Sequence, residues 1–377
     1  MVQAVDERSL REPEALCEAV RKSRIDHVLT ILLHAKSLRP SFLAKLVLTT
    51  YSTDNIDSAT FMILLRAFLA AGALGDECSA ALRLAVERGS LDFIKLFISY
   101  GTNADWGHGR IVAEAVRNGR CDILRAVLAS TAISHESASR AVEAIPARLP
   151  PATRADILSA LLDAGARGPP IEKELVLAVQ NHDSMLVDML RSRGTSIDGS
   201  QEGGALIAAV LATQIPLLKR LLDGPVEQTS LLKALPYVRN APKLPRLVMT
   251  RLLLEQQVKG DAVDAALRDA VCDSSEDRDE TPIEVLIQAG GDPAFDDAEA
   301  IRHAIRRADV SLFSKLLGCP AGLSTGLVSS ILANILAIPD KHARYVMMSL
   351  ALQVRPKNRT CLLRCFRWSQ PLHLTYP

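Results

Sequence analysis

The chain has 377 residues, with 44 Lys and Arg against 43 Asp and Glu and a formal net charge of +1. This balance excludes a general attraction to nucleic acid or to an anionic membrane, so any electrostatic preference has to be local. Hydrophobic residues make up 48% of the chain, aromatic residues only 4%, and charged residues 23%, which excludes a globally disordered chain. Small and aliphatic side chains of this kind suit closely stacked helices.

The predicted elements begin after a lead-in of residues 1–14, which is charged and lacks the apolar stretch of a signal peptide. Between residues 15 and 352, short apolar segments of helical spacing alternate with turn residues. The pattern stops in a C-terminal tail, residues 353–377, which we expect either to cap the preceding helices or to be poorly ordered. The longest apolar runs are too short to cross a bilayer, so we expect no membrane span.

The segment Leu82–Asp105 shows the unit of this pattern most clearly. A first apolar set with helical spacing ends at Val86, and Gly89 follows it at a turn. A second apolar set ends at Ile98, and Gly101 stands where a left-handed helix C-cap belongs. The unit is therefore predicted to be a helix, a tight turn, a second helix and a polar connector.

Two residue series repeat this unit along the chain. Glycines follow second helices at steps of 29, 64, 29, 30, 66 and 28 residues: Gly72, Gly101, Gly165, Gly194, Gly224, Gly290 and Gly318. Pairs of Ala with Val or Ile mark first helices: Ala19-Val20, Ala85-Val86, Ala115-Val116, Ala178-Val179, Ala209-Val210, Ala270-Val271 and Ala304-Ile305. A fixed period of this size indicates one supersecondary unit copied along the chain. The two long glycine steps predict uncapped, distorted helices near Ser130 and Gln257.

Three irregularities interrupt the series. The segment Gly224–Pro245 contains four prolines, which should shorten or break its helices. The acidic segment Cys272–Glu280 should be a solvated loop, and Ser274 within it suits acid-directed phosphorylation. Thr281-Pro282 then suits the start of a second helix.

The segment Leu82–Asp105 resembles the ankyrin repeat: Leu82-x-Leu84-Ala85-Val86-x-x-Gly89 is similar to the first helix and its turn, and the residues from Ile94 to Asp105 are similar to the second helix and the start of the finger. The resemblance covers roughly residues 15–340. It implies an all-α fold, an ankyrin-type α-solenoid of about nine or ten stacked helix-turn-helix repeats. The family's Thr-Pro-Leu-His stretch is absent, so we expect irregular fingers. The Ala/Leu-rich character is similar to divergent ankyrin arrays of filamentous fungi.

The resemblance implies a non-enzymatic scaffold that binds a protein or an acidic peptide on the concave face, where fingers and first-helix ends lie. We expect a cytoplasmic monomer, with the nucleus as the alternative compartment, that makes no contact with membrane and no direct contact with nucleic acid. Two regulatory alternatives stay open: a transcription co-regulator, and a sensor array separated from an NTPase switch protein. The P-loop and the common hydrolase motifs are absent, so we expect no catalytic residues and no cofactor.

Two sets of residues are candidates for binding a protein. The first, here called the helix-end row, consists of the two residues after each Ala-Val pair, and it contains six basic and two acidic residues: Arg21/Lys22, Glu87/Arg88, Arg117/Asn118, Gln180/Asn181, Leu211/Ala212, Cys272/Asp273 and Arg306/Arg307. This local excess of positive charge favours an acidic partner. The alternative is that these residues are ordinary solvated helix ends without a binding role.

The second set, here called the Trp106 patch, lies near one finger and comprises Trp106, Asn103, Asp105, His108 and Arg110. Tryptophan is over-represented at binding hot spots. The alternative is that Trp106 packs onto the next finger.

The sequence gives little support for a metal site. The eight histidines are dispersed, one per repeat or fewer. The cysteines and histidine of the tail (Cys361, Cys365 and His373) have helical spacing but make a weak zinc signal, so we expect no metal.

Overall fold

Helices joined by short turns make up the part of the chain that the computed structural model describes. The described residues are 2–35, 38–52, 57–130, 133–199, 203–273, 281–319 and 325–353, without the side chains of residues 2–11 and 325. They form 22 α-helices and one 3-10 helix, and this described part contains no strand. The predicted all-α class is therefore confirmed. Ser274 and residues 354–377 of the tail lie outside the described residues.

The packing of the helices divides the chain into two compact units. Unit 1 is Met1–Glu174 with Met189–Thr195, and unit 2 is Leu175–Asp188 with Ser196–Pro377. The helices of unit 1 are α1 Val2–Arg21, α2 Ile25–His34, α3 Pro40–Ser52, α4 Ser58–Ala70, α5 Asp76–Glu87, α6 Leu91–Ser99, α7 Trp106–Arg117, α8 Cys121–Leu128, α9 His135–Val142 and α10 Pro151–Asp163. Two helices, α11 Pro169–Gln180 and α12 Ser184–Ser192, contain the boundary between the units.

Unit 2 continues the alternation of helices. Its elements are α13 Gly204–Leu211, α14 Ile215–Leu222, α15 Gln228–Ala234, the 3-10 helix Leu235–Asn240, α16 Lys243–Glu255, α17 Asp261–Cys272, α18 Thr281–Gln288, α19 Phe295–Arg306, α20 Val310–Leu317, α21 Thr325–Leu336 and α22 Lys341–Gln353. The proline-rich segment thus yields a seven-residue helix and a 3-10 turn, as predicted. Thr281 begins a second helix, which is also as predicted.

Within each unit the helices stack in two rows. In unit 1 the first helices α3, α5, α7 and α9 contact one another in succession, and so do the second helices α4, α6, α8 and α10. In unit 2 the first helices α13, α15, α17, α19 and α21 do the same. Three fully buried phenylalanines lie on second helices: Phe68 on α4, Phe97 on α6 and Phe313 on α20. The core of each unit therefore lies between the two rows, where each helix buries one apolar stripe.

Hydrogen bonds and ion pairs between neighbouring helix pairs have the same sequence spacing as the predicted repeat. They join residues about one repeat apart in sequence: 31 residues from the Arg120 guanidinium to the Gly89 carbonyl, 30 from Arg193 to Asp163, 32 from Arg220 to Asp188 and 31 from Lys315 to Glu284. Each pair lies inside one unit. These separations agree with the glycine steps read from the sequence.

The glycine caps take the predicted form at five of the seven positions. Gly72, Gly101, Gly165, Gly194 and Gly290 have φ between +77° and +95°. At Gly101 its N–H donates to the Ile98 carbonyl at 3.0 Å and the next N–H donates to the Phe97 carbonyl at 3.1 Å. This pair of bonds is the Schellman motif, which satisfies the last carbonyls of a helix. Gly318 differs, because its φ is −70°.

First helices end in the same motif, but mostly without glycine. The left-handed residue lies three positions after the Val or Ile of the Ala-Val pair: Ser23, Gly89, Gly119, His182, Thr213 and Ala308. At Thr213 the carbonyls of Val210 and Ala209 accept the two capping bonds, at 3.0 and 2.9 Å. The Ala-Val pair therefore supplies both the buried contact and the carbonyls of the cap.

The structure adds detail to three sequence expectations. Helix α1 begins at Val2 and therefore extends through residues 2–14 of the predicted lead-in. The helices end within both long glycine steps: α8 ends at Leu128, and α16 ends at Glu255, two residues before Gln257, which takes φ +57°. A side chain can hold the left-handed conformation at an energetic cost, so a missing glycine does not mean a missing cap. The 22 described helices also make eleven consecutive pairs rather than nine or ten.

Candidate protein-binding surface

The helix-end row lies, as expected, at the carboxyl ends of first helices, and most of it is exposed. Its exposed members are Arg21, Lys22, Glu87, Arg88, Arg117, Asn118, Gln180, Asn181, Leu211, Arg306 and Arg307. Cys272 and Asp273 are half-buried. Each unit presents its own part of the row.

Ion pairs within the helices neutralise much of the row. Arg117 pairs with Glu114 at 2.7 Å, Lys22 pairs with Glu18, and Arg306 pairs with Glu299. Exposed pairs of this kind contribute only about 0–1 kcal/mol to stability. They do reduce the positive potential that a ligand would meet, so the row is less basic than its sequence suggests.

Two members of the row hold neighbouring helix pairs together. The Arg88 guanidinium donates to the Tyr51 carbonyl at 2.9 Å and lies over the Tyr51 ring, 4.7 Å from its centroid. The Asn118 amide donates to the Val86 carbonyl at 2.6 Å. In both cases the acceptor is at the end of the preceding first helix, where carbonyls lack intrahelical partners. Arg88 and Asn118 are therefore structural links as well as surface residues.

One cavity brings members of both candidate sets together. A cavity of about 370 Å³ between α7 and α9 is lined by His108, Arg110, Arg117, Arg140 and Glu143, among others. Arg117 comes from the helix-end row, and His108 and Arg110 come from the Trp106 patch. We call it the three-arginine cavity.

The carboxyl end of α9 supplies the wall of this cavity that the sequence prediction missed. Arg140 pairs with Glu136 at 2.8 Å and donates to the His108 carbonyl at 3.4 Å. A signal was present, because Ala141-Val142 is a buried Ala-Val pair at the end of α9. Its step from Ala115 is 26 residues, shorter than the others, so it falls out of phase with the series.

The first turn of α7 is left-handed. Gly107, His108 and Gly109 have φ values of +66°, +58° and +80°. The Asn103 side chain accepts the Asp105 N–H at 2.9 Å, and the half-buried Trp106 begins α7. The Trp106 patch thus surrounds one backbone turn.

The first turn of α19 in unit 2 repeats this geometry. Asp296, Asp297 and Ala298 have φ between +52° and +56°, and the Asp292 side chain accepts the Ala294 N–H at 2.8 Å. Such runs are costly for residues other than glycine. The repeated turn is therefore a property of the fold that glycine makes easier in unit 1.

Close packing between first helices explains why glycine is needed at Gly109, and the same holds at Gly203 in unit 2. A Cβ on Gly109 would lie 2.6 Å from the Ser137 Cβ and 3.0 Å from the Ser137 Cα. A Cβ on Gly203 would lie 2.8 Å from the Ser230 Cβ in unit 2. At both sites the start of one first helix touches the next first helix. The approach of α7 to α9 sets the width of the three-arginine cavity.

Further cavities accompany other members of the row. A cavity of about 370 Å³ includes Arg21 between α1 and α3, and another of about 380 Å³ includes Arg306 and Arg307 between α19 and α21. A fourth, of about 490 Å³, includes Cys272 and Asp273. Grooves therefore recur between neighbouring first helices beside the predicted row.

No arrangement for metal chemistry or membrane insertion is found in the described ranges. Within them no group of three or more His, Cys, Asp or Glu residues is placed to hold a metal ion. The tail residues Cys361, Cys365 and His373 lie outside them. No described helix is both long and apolar enough to cross a membrane.

The fold and surface define a class of protein, an all-helical repeat of stacked helix pairs with grooves between its first helices. No protein-family model and no curated protein matches this chain. The resemblance to ankyrin repeats therefore stays a prediction from the residues quoted above.

Proposed function

We propose that the chain is a non-enzymatic scaffold that binds another protein along the ends of its first helices, in the manner of an ankyrin array. The observation that carries the proposal is the recurrence of grooves between neighbouring first helices, each beside residues of the helix-end row. A catalytic site is a single constellation, whereas a repeated groove suits an extended ligand.

The three-arginine cavity is the part of this surface that favours an acidic partner. Its lining contributes Arg110, Arg117 and Arg140 against Glu143. Two of these arginines already have a glutamate partner, so an incoming carboxylate competes with Glu114 and Glu136. The preference for acidic segments is therefore selective and sensitive to salt rather than strong.

Affinity capture with mass spectrometry tests this proposal. The protein carrying Arg110→Glu and Arg117→Glu is compared with the unmodified protein at low and physiological salt. A matched control carries Arg66→Glu and Arg125→Glu, which change the same charge at exposed positions of the second helices α4 and α8. We expect the first variant to lose specific partners and the control to keep them. Equal capture by both variants would contradict the proposal.

Two further variants separate binding from folding. Trp106→Ala should weaken capture while leaving the melting temperature within a few degrees, because Trp106 is half-buried at a helix start. Arg88→Glu should lower the melting temperature, since it removes the bond to Tyr51 and the contact with its ring. A loss of capture by Arg88→Glu alone is therefore not counted as support.

The two regulatory alternatives use the same surface. A transcription co-regulator would capture a DNA-binding protein, and a sensor array would capture an NTPase. The identity of the captured protein distinguishes them.

A further inference from the structure

The chain contains a single Asn-Gly pair, Asn118-Gly119, and it lies at the turn between α7 and α8. An asparagine followed by glycine loses its side-chain amide readily, because no Cβ on the glycine hinders an attack by the glycine nitrogen. Both residues have structural reasons to be present, and neither reason concerns this chemistry. The fold therefore places a chemically labile pair at a contact between helices.

Gly119 suits the backbone of this turn. Its φ is +65°, and a Cβ at this position would lie 2.9 Å from the Leu149 Cδ2. Its N–H donates to the Val116 carbonyl at 3.0 Å and so caps α7. A residue with a side chain would meet both the left-handed strain and this close contact.

Asn118 joins two neighbouring first helices. The residue is exposed at the end of α7, and its side-chain Nδ2 donates to the Val86 carbonyl at 2.6 Å, at the end of α5. An ionised aspartate only accepts hydrogen bonds, so its carboxylate would face the carbonyl oxygen without a proton to donate. The amide that deamidation removes is therefore the group that connects α7 to α5.

We infer that Asn118 is a site of spontaneous deamidation, that the fold slows this reaction, and that the reaction breaks the joint between α5 and α7. The Gly119 nitrogen attacks the Asn118 Cγ to close a ring. The Cγ–Nδ2 bond breaks, and the peptide proton leaves with the amide nitrogen as ammonia. Water then opens the ring at either carbonyl and leaves aspartate or isoaspartate. Water is the only co-reactant, and the inference does not rest on the proposed function.

Two hydrogen bonds oppose the reaction in the folded protein. The attacking nitrogen has to leave the Val116 carbonyl, and the side-chain amide has to leave the Val86 carbonyl. The reaction therefore proceeds from a locally opened turn, which is a small fraction of the folded protein. Its rate in the folded protein is the rate in the unfolded chain multiplied by that fraction.

Peptide mapping of the unmodified protein tests the site and the effect of the fold. The protein is kept at mildly alkaline pH, folded in one sample and unfolded by guanidinium chloride in the other. A glutamate-specific protease cuts after Glu114 and Glu136 and leaves Asn118 as the only asparagine of its peptide. Mass spectrometry then follows the conversion of Asn118, with the other asparagines as internal references.

We expect aspartate and isoaspartate at position 118 in both samples, with a rate at least about tenfold lower in the folded protein, since two hydrogen bonds have to open. No product at Asn118 in the folded protein, or equal rates in the two samples, would overturn the inference. Asn118→Gln moves the amide one carbon further from the Gly119 nitrogen and should stop the mass shift. A shift that persists in this peptide would overturn the proposed attack.

A substitution tests the consequence for the helices. Asn118→Asp imitates the product, and Asn181→Asp is the matched control, because Asn181 is exposed at the same position of α11 and its side chain makes no hydrogen bond within the described residues. We expect Asn118→Asp to lower the melting temperature by about 2–4 °C and to speed amide hydrogen exchange at the ends of α5 and α7. The control should stay within about 1 °C of the unmodified protein. Equal melting temperatures for the two variants would overturn the claim that deamidation breaks this joint.

Discussion

The close approach of α7 and α9 at Gly109 gives a prediction that separates two physical effects. Gly109 and Gly101 both have left-handed φ values, +80° and +77°. A Cβ on Gly101 meets nothing within 4 Å, whereas a Cβ on Gly109 would lie 2.6 Å from the Ser137 Cβ. Alanine at either position therefore carries the left-handed strain, and only alanine at Gly109 adds a clash between helices.

The magnitudes follow from these distances. The left-handed conformation costs a non-glycine residue roughly 1–2 kcal/mol, so Gly101→Ala should lower the free energy of unfolding by about that amount. Gly109→Ala should lower it by about 1–3 kcal/mol more, because overpacking displaces backbone as well as side chain. Urea unfolding followed by circular dichroism measures both values under the same conditions.

A double-mutant cycle with Ser137→Gly completes the test. Removing the Ser137 side chain relieves the clashes at 2.6 and 2.9 Å but leaves the new Cβ 3.0 Å from the backbone of residue 137. We therefore expect the double variant to recover about 1 kcal/mol relative to the sum of the single changes. Equal destabilisation by Gly101→Ala and Gly109→Ala, or additivity of Gly109→Ala with Ser137→Gly, would refute the reasoning.

Three other predictions concern stability. Arg154→Met should lower the free energy of unfolding by about 3 kcal/mol, because it removes the ion-pair partner of Glu174, whose side chain is only 8% exposed. Adding Glu174→Leu should restore much of that loss, and no recovery in the double variant would count against this reasoning. Thr213→Gly should raise the melting temperature, with a gain of about 0.5–1 kcal/mol, because a β-branched residue with φ +57° is strained; a lower melting temperature would contradict it. Burial raises the pKa of Cys78 and of Cys319 to about 11, so the unfolded thiols ionise first and stability should fall as pH rises above 9, and cysteine-to-alanine variants should lose that fall.

The sequence predicted the repeating helix pairs because their signals are local. Apolar spacing, a glycine after the second helix and a proline at a helix start each act within a few residues, and the caps at Gly101 and Gly290 follow from them. The prediction of helix ends failed where a residue other than glycine occupies the left-handed cap position. Gln257 and Thr213 hold left-handed positions, and their residue types carry no sign of it.

The candidate site was predicted only in part. The position of the helix-end row and its exposure followed from the Ala-Val pairs, since the residues after a buried helical turn face solvent. The partners of its side chains did not follow. Arg88 contacts a residue 37 positions earlier and Asn118 one 32 positions earlier, and no local rule predicts the angle between successive helix pairs that brings them into reach.

By itself, the sequence determined an all-helical chain with a period near 30 residues, because apolar periodicity and turn chemistry act over one or two helical turns. The tertiary structure alone decided which row residues are committed to neighbouring helices, where α7 meets α9 at Gly109 and Ser137, and that a cavity of about 490 Å³ lies between the 3-10 helix Leu235–Asn240 and α17. These features depend on distances between helices that are far apart in the chain, and close packing fixes those distances only after the helices have stacked.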